Sequence, residues 1–168
     1  VCAGLYFKRK GIEDFVEVAR RMPDVRFIWL GSINKWLIPA SIRRLVEKDH
    51  PSNVEFPGYF KGAVFQGAMS GSDAFFFPSY EETEGIVVLE ALASKQHVIL
   101  RDIPVYEGWI SEESAELCHN VDEFVESLRK VLDGQVDKRE AGYRVAQSRS
   151  IDDVAYQLVE AYRKVLEM

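Results

Sequence analysis

Glutamates are concentrated between an apolar run and a second, mostly apolar stretch. Three of them fall within residues 81–84, soon after the run 74–77, and Gly85 separates them from a stretch that carries one further acid, Glu90. Carboxylates are strong hydrogen-bond acceptors, and paired hydroxyl groups such as those of sugars suit them. Because an unpaired carboxylate is costly to bury, Glu90 must reach water, a partner or a ligand. A solvated acidic loop at a helix start is the alternative interpretation.

A short basic run follows the first apolar segment. Lys8, Arg9 and Lys10 precede Gly11, where a helical spacing of apolar residues begins. Cations and free backbone N–H groups at a helix start suit a diphosphate. Such a run alone is usually a solvated face, but here it is predicted at the same sheet edge as the acidic loop. Bases for phosphates beside acids for sugar hydroxyls would suit a nucleotide sugar, although neither a Walker-type loop nor a full dinucleotide fingerprint is present.

The histidines and cysteines offer little chemistry. His50, His97 and His119 lack metal-ligand spacing and adjoin no nucleophile motif, so neither a metal site nor a catalytic His–Ser or His–Cys pair is predicted. Cys2 and Cys118 lie far apart and are expected to be reduced thiols of a cytoplasmic protein. No cofactor is expected. The formal net charge of −6 argues against a nucleic-acid partner.

Length and composition are those of one globular domain. The 168 residues are 47% hydrophobic and 29% charged, which is enough for a sizeable core. The sequence contains no signal peptide and no apolar run long enough to cross a bilayer. It opens directly in an apolar segment at Val1 without a starting Met, which predicts a piece of a longer polypeptide.

Apolar runs alternate with helical spacings along the whole chain. The runs predict strands at 1–6, 25–30, 54–56, 75–77, 98–100 and 115–117, and the spacings predict helices at 12–22, 41–47, 63–68, 86–93, 121–132 and 150–168. This alternation predicts an α/β fold with a doubly wound, mainly parallel, Rossmann-like sheet, and one domain over 1–168. Residues 134–150 are mostly polar and carry no predicted element. The terminal helix could pack back on this domain or reach a missing neighbour.

The predicted helix at 86–93 would start at the ligand-binding edge of such a sheet, where the carboxyl ends of the strands lie. The first N–H groups of the helix, from Ile86 to Val88, have no partner within it. They would therefore suit an anion or a hydroxyl-rich ligand. Gly85 would let that ligand approach the backbone closely because glycine has no side chain.

These segments resemble those of a known family. The acidic segment resembles the signature of retaining nucleotide-sugar glycosyltransferases of the GT-B fold, on the residues Pro78, Ser79, Glu82, Gly85, Glu90 and Ala91. Gly4 with Lys10 and Gly11 resembles the phosphate-binding loop that opens the C-terminal domain of that family. Gly31 and Gly58 fall where the family has a strand followed by glycine. The run 100–106 is similar to bacterial diacylglycerol glucosyltransferases, which make membrane glycolipids.

The resemblance implies a role for each matching residue. Glu90 would accept hydrogen bonds from the ribose hydroxyls of the donor nucleotide. Glu82 would contact the transferred hexose, and Lys10 would neutralise the departing diphosphate; these two are the residues assigned to catalysis. The remaining donor contacts would come from the amides of Gly85, Ile86 and Val87, and from the loops of Gly31, Gly58 and Tyr59 beside the base.

One position departs from the family. Leu5 stands where the family usually has an arginine after the first-strand glycine. Arg9 or Lys8 could supply that second phosphate cation instead, and Arg9 is included among the predicted donor-binding residues.

The resemblance also implies the whole enzyme. The chain would be the C-terminal, donor-binding half of a hexosyltransferase that uses a UDP-sugar, with UDP-glucose expected, and that retains the anomeric configuration. A missing N-terminal domain would bind the acceptor, expected to be a membrane glycerolipid, so the chain alone would be inactive. Attachment to the inner face of the membrane would be peripheral. Two alternatives remain: a non-catalytic flavodoxin-like interaction domain and a nucleotide-sugar epimerase of the same fold.

Overall fold

A computed structural model describes residues 1–167; Met168, the last residue of the predicted helix 150–168, lies outside the described residues. Over this range the strands are β1 Cys2–Ala3, β2 Phe27–Leu30, β3 Val54–Gly58, β4 Phe75–Phe77, β5 Val98–Arg101 and β6 Glu116–Cys118. The helices are α1 Ile12–Arg21, α2 Ala40–Glu47, α3 Ala63–Gly71, α4 Ile86–Ala93, α5 Val121–Leu132, α6 Arg139–Gln147 and α7 Ile151–Leu166.

All strand pairs are parallel, in two groups ordered β1-β2-β3 and β4-β5-β6. The groups adjoin where the Phe76 amide donates a 2.9 Å hydrogen bond to the Val1 carbonyl. The strands therefore follow the order 3-2-1-4-5-6 of a doubly wound dinucleotide-binding sheet, whose connections reverse direction between β1 and β4. The predicted fold class is confirmed, and the ligand-binding crevice is expected at the carboxyl ends of these two strands.

Aromatic side chains join the two halves of the sheet into one core. The Phe15 ring of α1 meets Trp29 of β2 edge-on, with centroids 5.0 Å apart, and stacks on Phe76 of β4 at 5.6 Å. Phe76 in turn contacts Phe124 of α5 at 4.9 Å. Such contacts add to the hydrophobic gain of burying large rings. The core therefore holds β1 and β4, and the loops that follow them, in a fixed relation.

The first strand is shorter than the predicted range 1–6. Strand pairing ends at Ala3, and the last backbone hydrogen bond to β2 is the one from the Gly4 amide to the Leu30 carbonyl. The chain then turns away from the sheet, which leaves Leu5 exposed. A single 3₁₀ turn, Lys8–Lys10, then leads into α1. The apolar residues beyond Ala3 take no part in strand pairing, although the Tyr6 ring still packs edge-on against Phe56 of β3. The 3₁₀ turn brings the basic run back over the end of β1.

One helix lies within the polar stretch where no element was predicted. In α6, Gly142 faces α4 so closely that a methyl group there would collide with the Leu92 side chain and would press on the Ser114 carbonyl. Lys95, beyond the end of α4, forms a 2.9 Å ion pair with Glu140 of α6. Because the closest contact of α6 with α4 is made by a glycine, and Val145 and Ala146 add a short apolar contact with the core, the apolar spacing is too brief to predict this helix.

The terminal helix α7 leaves its apolar side chains in solvent. Every described residue of α7 is exposed, including Ile151, Tyr156 and Leu166. The sequence left two arrangements open for this helix. In the structure it does not pack back on this domain. Among residues 1–167, no helix is both long enough and apolar enough to span a membrane.

Candidate functional site

The loops that follow β1 and β4 cross each other at the point where the sheet reverses direction; we call residues 8–11 and 78–82 the crossing loops. The Tyr80 amide and the buried Ser79 hydroxyl both donate to the Arg9 carbonyl, at 2.8 and 3.2 Å. The Arg9 guanidinium donates to the Glu81 carbonyl at 3.1 Å. Each loop thus satisfies backbone groups of the other, which fixes their relative positions.

Gly11 makes this close approach possible. Its φ of 75° lies in the left-handed region, and a Cβ atom at this position would overlap the Pro78 carbonyl oxygen. Any other residue would push the two loops apart, in addition to straining the backbone. The glycine after the basic run is therefore needed to place Lys10 beside the acidic loop.

Lys10 and Glu82 form an ion pair between the crossing loops. Lys10 Nζ lies 2.5 Å from Glu82 Oε1, and their side chains are only 13% and 8% exposed. The ammonium also lies 5.8 Å from the centre of the Phe77 ring. Removing either partner would leave an uncompensated charge in a mostly dry environment, which is costly. A cation and a carboxylate are therefore held ready at the carboxyl ends of β1 and β4.

Helix α4 begins beside this pair and leaves its first amides free. Gly85 is its N-cap, with a φ of 80°, and no side chain among residues 1–167 caps the helix there. The first helix-type hydrogen bond is the one from the Val88 amide to the Gly85 carbonyl, at 2.8 Å. The N–H groups of Ile86 and Val87 precede it and, with the positive end of the helix dipole, suit an anion or sugar hydroxyls.

An open cavity of about 330 Å³ lies against the crossing loops. Five of the predicted site residues line it: Lys10, assigned to catalysis, and Arg9, Gly31, Tyr59 and Val87, assigned to donor binding. Glu82 adjoins it through its ion pair with Lys10, and Gly58 lies behind Gly31, whose amide donates to the Gly58 carbonyl at 2.8 Å. Gly85 and Ile86 stand at the start of α4, with Gly85 buried and Ile86 exposed. The structure therefore gathers the predicted residues at one edge of the sheet.

Glu90 differs from its expected environment, because it is exposed although its sequence neighbours are apolar. It makes no side-chain hydrogen bond or ion pair with residues 1–167, and its side chain is open to solvent. Neighbouring apolar atoms still remove enough water to raise the pKa of the Glu90 carboxyl. Glu90 follows Val87 by one helical turn and so stands on the same side of α4 as a residue that lines the cavity.

Arg101 is a supporting residue that the search for site residues missed. It is buried at the end of β5, donates from Nε to the Pro78 carbonyl at 3.1 Å and forms an ion pair with Asp14. Its guanidinium carbon lies 3.8 Å from the centre of the Tyr80 ring, and the Tyr80 hydroxyl donates to Asp14 at 2.6 Å. Arg101 therefore anchors the second crossing loop. The sequence signal that could have indicated Arg101 is its position as a charged residue directly after the apolar residues 98–100.

The thiols and imidazoles show no sign of reactivity. Cys2 and Cys118 are free and buried, and burial raises the pKa of both, that of Cys118 to about 11. Burial lowers the pKa of His97. Residues 1–167 include no group of three or more His, Cys, Asp or Glu side chains that could hold a metal ion.

Solved structures of two transferases superpose on nearly the whole chain. A sucrose-phosphate synthase from Thermosynechococcus elongatus matches with a TM-score of 0.83 at 22% identity, over 99% of this chain and 45% of that one. The pneumococcal O-GlcNAc transferase GtfA, solved in complex with UDP and GlcNAc, matches with a TM-score of 0.76 at 17% identity, over 99% and 35%. The fold is therefore that of a GT-B glycosyltransferase domain.

Residues 1–149 match the family model of glycosyl transferases group 1, and the chain belongs to that family. A processive diacylglycerol alpha-glucosyltransferase of Acholeplasma laidlawii is 51% identical over 167 residues, which cover 98% of this chain and 50% of that protein. An alpha-galactosylglucosyldiacylglycerol synthase of Streptococcus pneumoniae is 31% identical over 109 residues, 64% of this chain and 29% of that protein. The chain thus spans no more than half of either relative. The resemblance drawn from the sequence is confirmed.

Proposed function

We propose that this chain is the donor-binding domain of a retaining glycosyltransferase. The enzyme would move a hexose from a UDP-sugar, with UDP-glucose as the expected donor, to a membrane glycerolipid. The observation that carries the proposal is the Lys10–Glu82 ion pair, 2.5 Å long, between the loops that follow β1 and β4. It joins a cation of the kind that suits a phosphate to a carboxylate of the kind that suits sugar hydroxyls, at the edge where such sheets bind nucleotides. The names of the two relatives supply the glycolipid product.

The diphosphate would lie between the basic loop and the start of α4. Lys10 and Arg9 line the cavity, and the free amides of Ile86 and Val87 stand beside it. As the bond between the hexose and the diphosphate breaks, negative charge grows on the leaving phosphate. Cations and amides that are already in place stabilise this charge in the transition state without reorganising. The role of this domain in catalysis would be to assist departure of the nucleotide.

The two carboxylates would bind hydroxyl groups of the donor. Glu82 is placed by Lys10 close to the α4 terminus, where the hexose would lie, and Glu90 stands one turn along the same helix, where it would accept from the ribose. Each would orient the donor by hydrogen bonds and neither would attack it. Gly31 and Tyr59 line the part of the cavity that would border the base, and Gly58 lies behind Gly31.

The name of the A. laidlawii relative supports the proposed retaining outcome. UDP-glucose carries its glucose in the α configuration, and the A. laidlawii protein is an alpha-glucosyltransferase. Transfer from an α donor to an α product keeps the configuration of the anomeric carbon. We propose the same stereochemistry for this protein.

The other half of the enzyme would supply the acceptor site. Half of the A. laidlawii protein has no counterpart in this chain. We propose that α7, whose apolar side chains are all exposed, packs against that half, and that the acceptor lipid and any peripheral contact with the membrane are bound there. This domain alone would then bind the donor and transfer nothing.

The flavodoxin-like alternative is disfavoured by the strand order. A flavodoxin-like sheet has the order 2-1-3-4-5, whereas this chain places β1 beside β4. The epimerase alternative shares the fold but requires residues that abstract protons from the sugar. Membership of a glycosyltransferase family favours transfer instead.

Calorimetric titration with UDP-glucose tests the donor site. Glu90→Ala should raise the Kd about tenfold, the loss expected for hydrogen bonds between a carboxylate and hydroxyls. Because Glu90 is exposed and its side chain has no partner among the described residues, this substitution should leave the fold intact. Glu112→Ala removes an exposed carboxylate from the turn before β6, at the opposite edge of the sheet, and should change nothing. Equal or undetectable binding by wild type and Glu90→Ala at millimolar UDP-glucose would count against the proposal.

A further inference from the structure

Tyr106 carries a polar group that the ligand-free protein does not use. The residue is 2% exposed, and its hydroxyl oxygen is buried without a hydrogen-bond partner among residues 1–167. Burying a hydroxyl in this way costs free energy that a phenylalanine would avoid. Nearly all buried polar groups in native proteins are paired, so an unpaired one calls for an explanation.

The Tyr106 ring lies directly beneath the turn that starts α4. Tyr106 ends the 3₁₀ turn Pro104–Tyr106 after β5, and its ring packs edge-on against Trp109 with centroids 5.6 Å apart. Its hydroxyl oxygen and Cε1 lie 3.5 and 3.2 Å from the point where a Cβ atom of Gly85 would stand. The hydroxyl is therefore held under the backbone of the proposed donor site, on the protein side of the α4 terminus.

Glu82 supplies a carboxylate acceptor on the segment that leads into this turn. It precedes Gly85 by three residues, and its negative charge adds to burial in raising the pKa of the Tyr106 hydroxyl. Cys2, the other titratable group that faces the hydroxyl, acts in the same direction. The hydroxyl thus keeps its proton and can donate. In the ligand-free protein Glu82 is already occupied, because it accepts from Lys10 at 2.5 Å.

Donor binding would change this arrangement. A diphosphate in the cavity competes with Glu82 for the Lys10 ammonium. The Glu82 side chain is 8% exposed, so it cannot replace the lost interaction with water alone. The buried Tyr106 hydroxyl, which has no other partner among residues 1–167 and is fixed under the same turn, can supply the missing hydrogen bond.

We propose that Tyr106 is a positioning residue of the donor site, whose hydroxyl donates to the Glu82 carboxylate once a diphosphate draws Lys10 away from it. The proposal rests on the function proposed above. Tyr106 would keep Glu82 oriented toward the hexose, and the unpaired hydroxyl of the ligand-free protein would be the form that awaits the donor.

Tyr106→Phe tests this proposal because it should stabilise the protein without ligand and weaken the complex with UDP-glucose. Without ligand, the variant loses an unpaired buried hydroxyl, so its melting temperature should rise. With UDP-glucose, it lacks the new hydrogen bond, so the Kd should rise about tenfold, as expected for a bond to a charged acceptor. Tyr80→Phe is the matched control: it removes a hydroxyl that is paired with Asp14 and should lower the ligand-free melting temperature.

A double-mutant cycle with Glu82→Gln tests whether Tyr106 acts through Glu82. Tyr106→Phe should weaken UDP-glucose binding in the wild-type background and have less than a twofold effect in the Glu82→Gln background. Similar losses in both backgrounds, unchanged binding, or a lower ligand-free melting temperature for Tyr106→Phe would each overturn the inference. Absence of saturable UDP-glucose binding by the wild-type protein would overturn the proposed function, and this inference with it.

Discussion

Around the cavity, the crossing loops are fixed by buried contacts, whereas another part of its lining, formed by Gly31, Tyr59 and Phe60 and called the open rim, carries exposed aromatic side chains. On the first side, Lys10 and Glu82 are 13% and 8% exposed and paired with each other. On the second side, Tyr59 is 67% exposed, and its ring contacts no other aromatic ring among residues 1–167 within stacking distance. The two sides therefore differ in how much of the site exists before a ligand binds.

This contrast separates folding from binding. Groups in the crossing loops are ordered when the chain folds, so a ligand that meets them loses little further conformational entropy. Side chains on the open rim must be ordered by the ligand itself. Substitutions in the crossing loops should accordingly alter both stability and binding, whereas substitutions on the open rim should alter binding alone.

The largest effect is expected when the buried ion pair is broken. Lys10→Met leaves the Glu82 carboxylate without its partner, and the free energy of unfolding should fall by about 3 kcal/mol, as for other buried pairs. UDP-glucose binding should be lost because the phosphate cation is gone. Urea denaturation and calorimetry measure the two effects.

A double variant shows whether the pair serves stability or the ligand. Lys10→Met combined with Glu82→Leu replaces both charges by apolar groups, so the free energy of unfolding should recover most of the loss. UDP-glucose binding should stay absent. Recovery of binding in the double variant, or unchanged stability in Lys10→Met, would contradict the assignment of a preformed donor site to the crossing loops.

The same contrast explains what the sequence could predict. The alternation of apolar runs and helical spacings predicted the parallel sheet. A parallel sheet in turn predicted a ligand site at the carboxyl ends of its strands. The sequence also supplied the residue types of the crossing loops. It did not predict the direct Lys10–Glu82 contact, because that contact joins residues 72 positions apart and depends on how closely Gly11 lets the loops approach.

Other features depend on side-chain direction or on distant packing. Glu90 has apolar sequence neighbours, but its position on α4 turns it to solvent, which composition alone cannot reveal. Helix α6 was not predicted because its closest contact with α4 is made by Gly142 and its apolar face is short. The environments of Arg101 and Tyr106 are assembled by loops that meet only in the folded chain.

An effect of intermediate size is expected at Glu90, in the pH dependence of UDP-glucose binding. Desolvation raises the pKa of its carboxyl above the ordinary 4.5, so the folded chain holds this proton more tightly than the unfolded chain. The stabilising contribution of Glu90 is therefore fully present below the ordinary value and is lost as the pH rises through the raised one. Donor binding follows the opposite course, because the ionised carboxylate is the form that accepts from ribose hydroxyls.

UDP-glucose affinity of the wild type should therefore fall as the pH is lowered through the raised pKa of Glu90, in calorimetric titrations between roughly pH 7 and pH 4. The diphosphate of UDP-glucose is esterified at both ends and stays ionised over this range. Glu90→Gln should bind about tenfold more weakly at neutral pH and should lack this part of the pH dependence. Parallel pH profiles for the two proteins would exclude Glu90 as the titrating group.

The smallest effect is expected at the open rim. We expect the Tyr59 ring to lie against the base of the donor. Tyr59→Ala should then raise the Kd for UDP-glucose about fivefold, because stacking of a base on an aromatic ring contributes modestly to the free energy of binding. Its free energy of unfolding should stay within about 0.5 kcal/mol of the wild type because the side chain is largely solvated. Tyr59→Phe keeps the ring and should bind normally. Tyr156→Ala on α7 removes another exposed tyrosine, outside the cavity, and should alter neither quantity. If Tyr59→Ala reduced stability as much as Lys10→Met, the open rim would be part of the folded framework, and the distinction between the two sides of the site would be wrong.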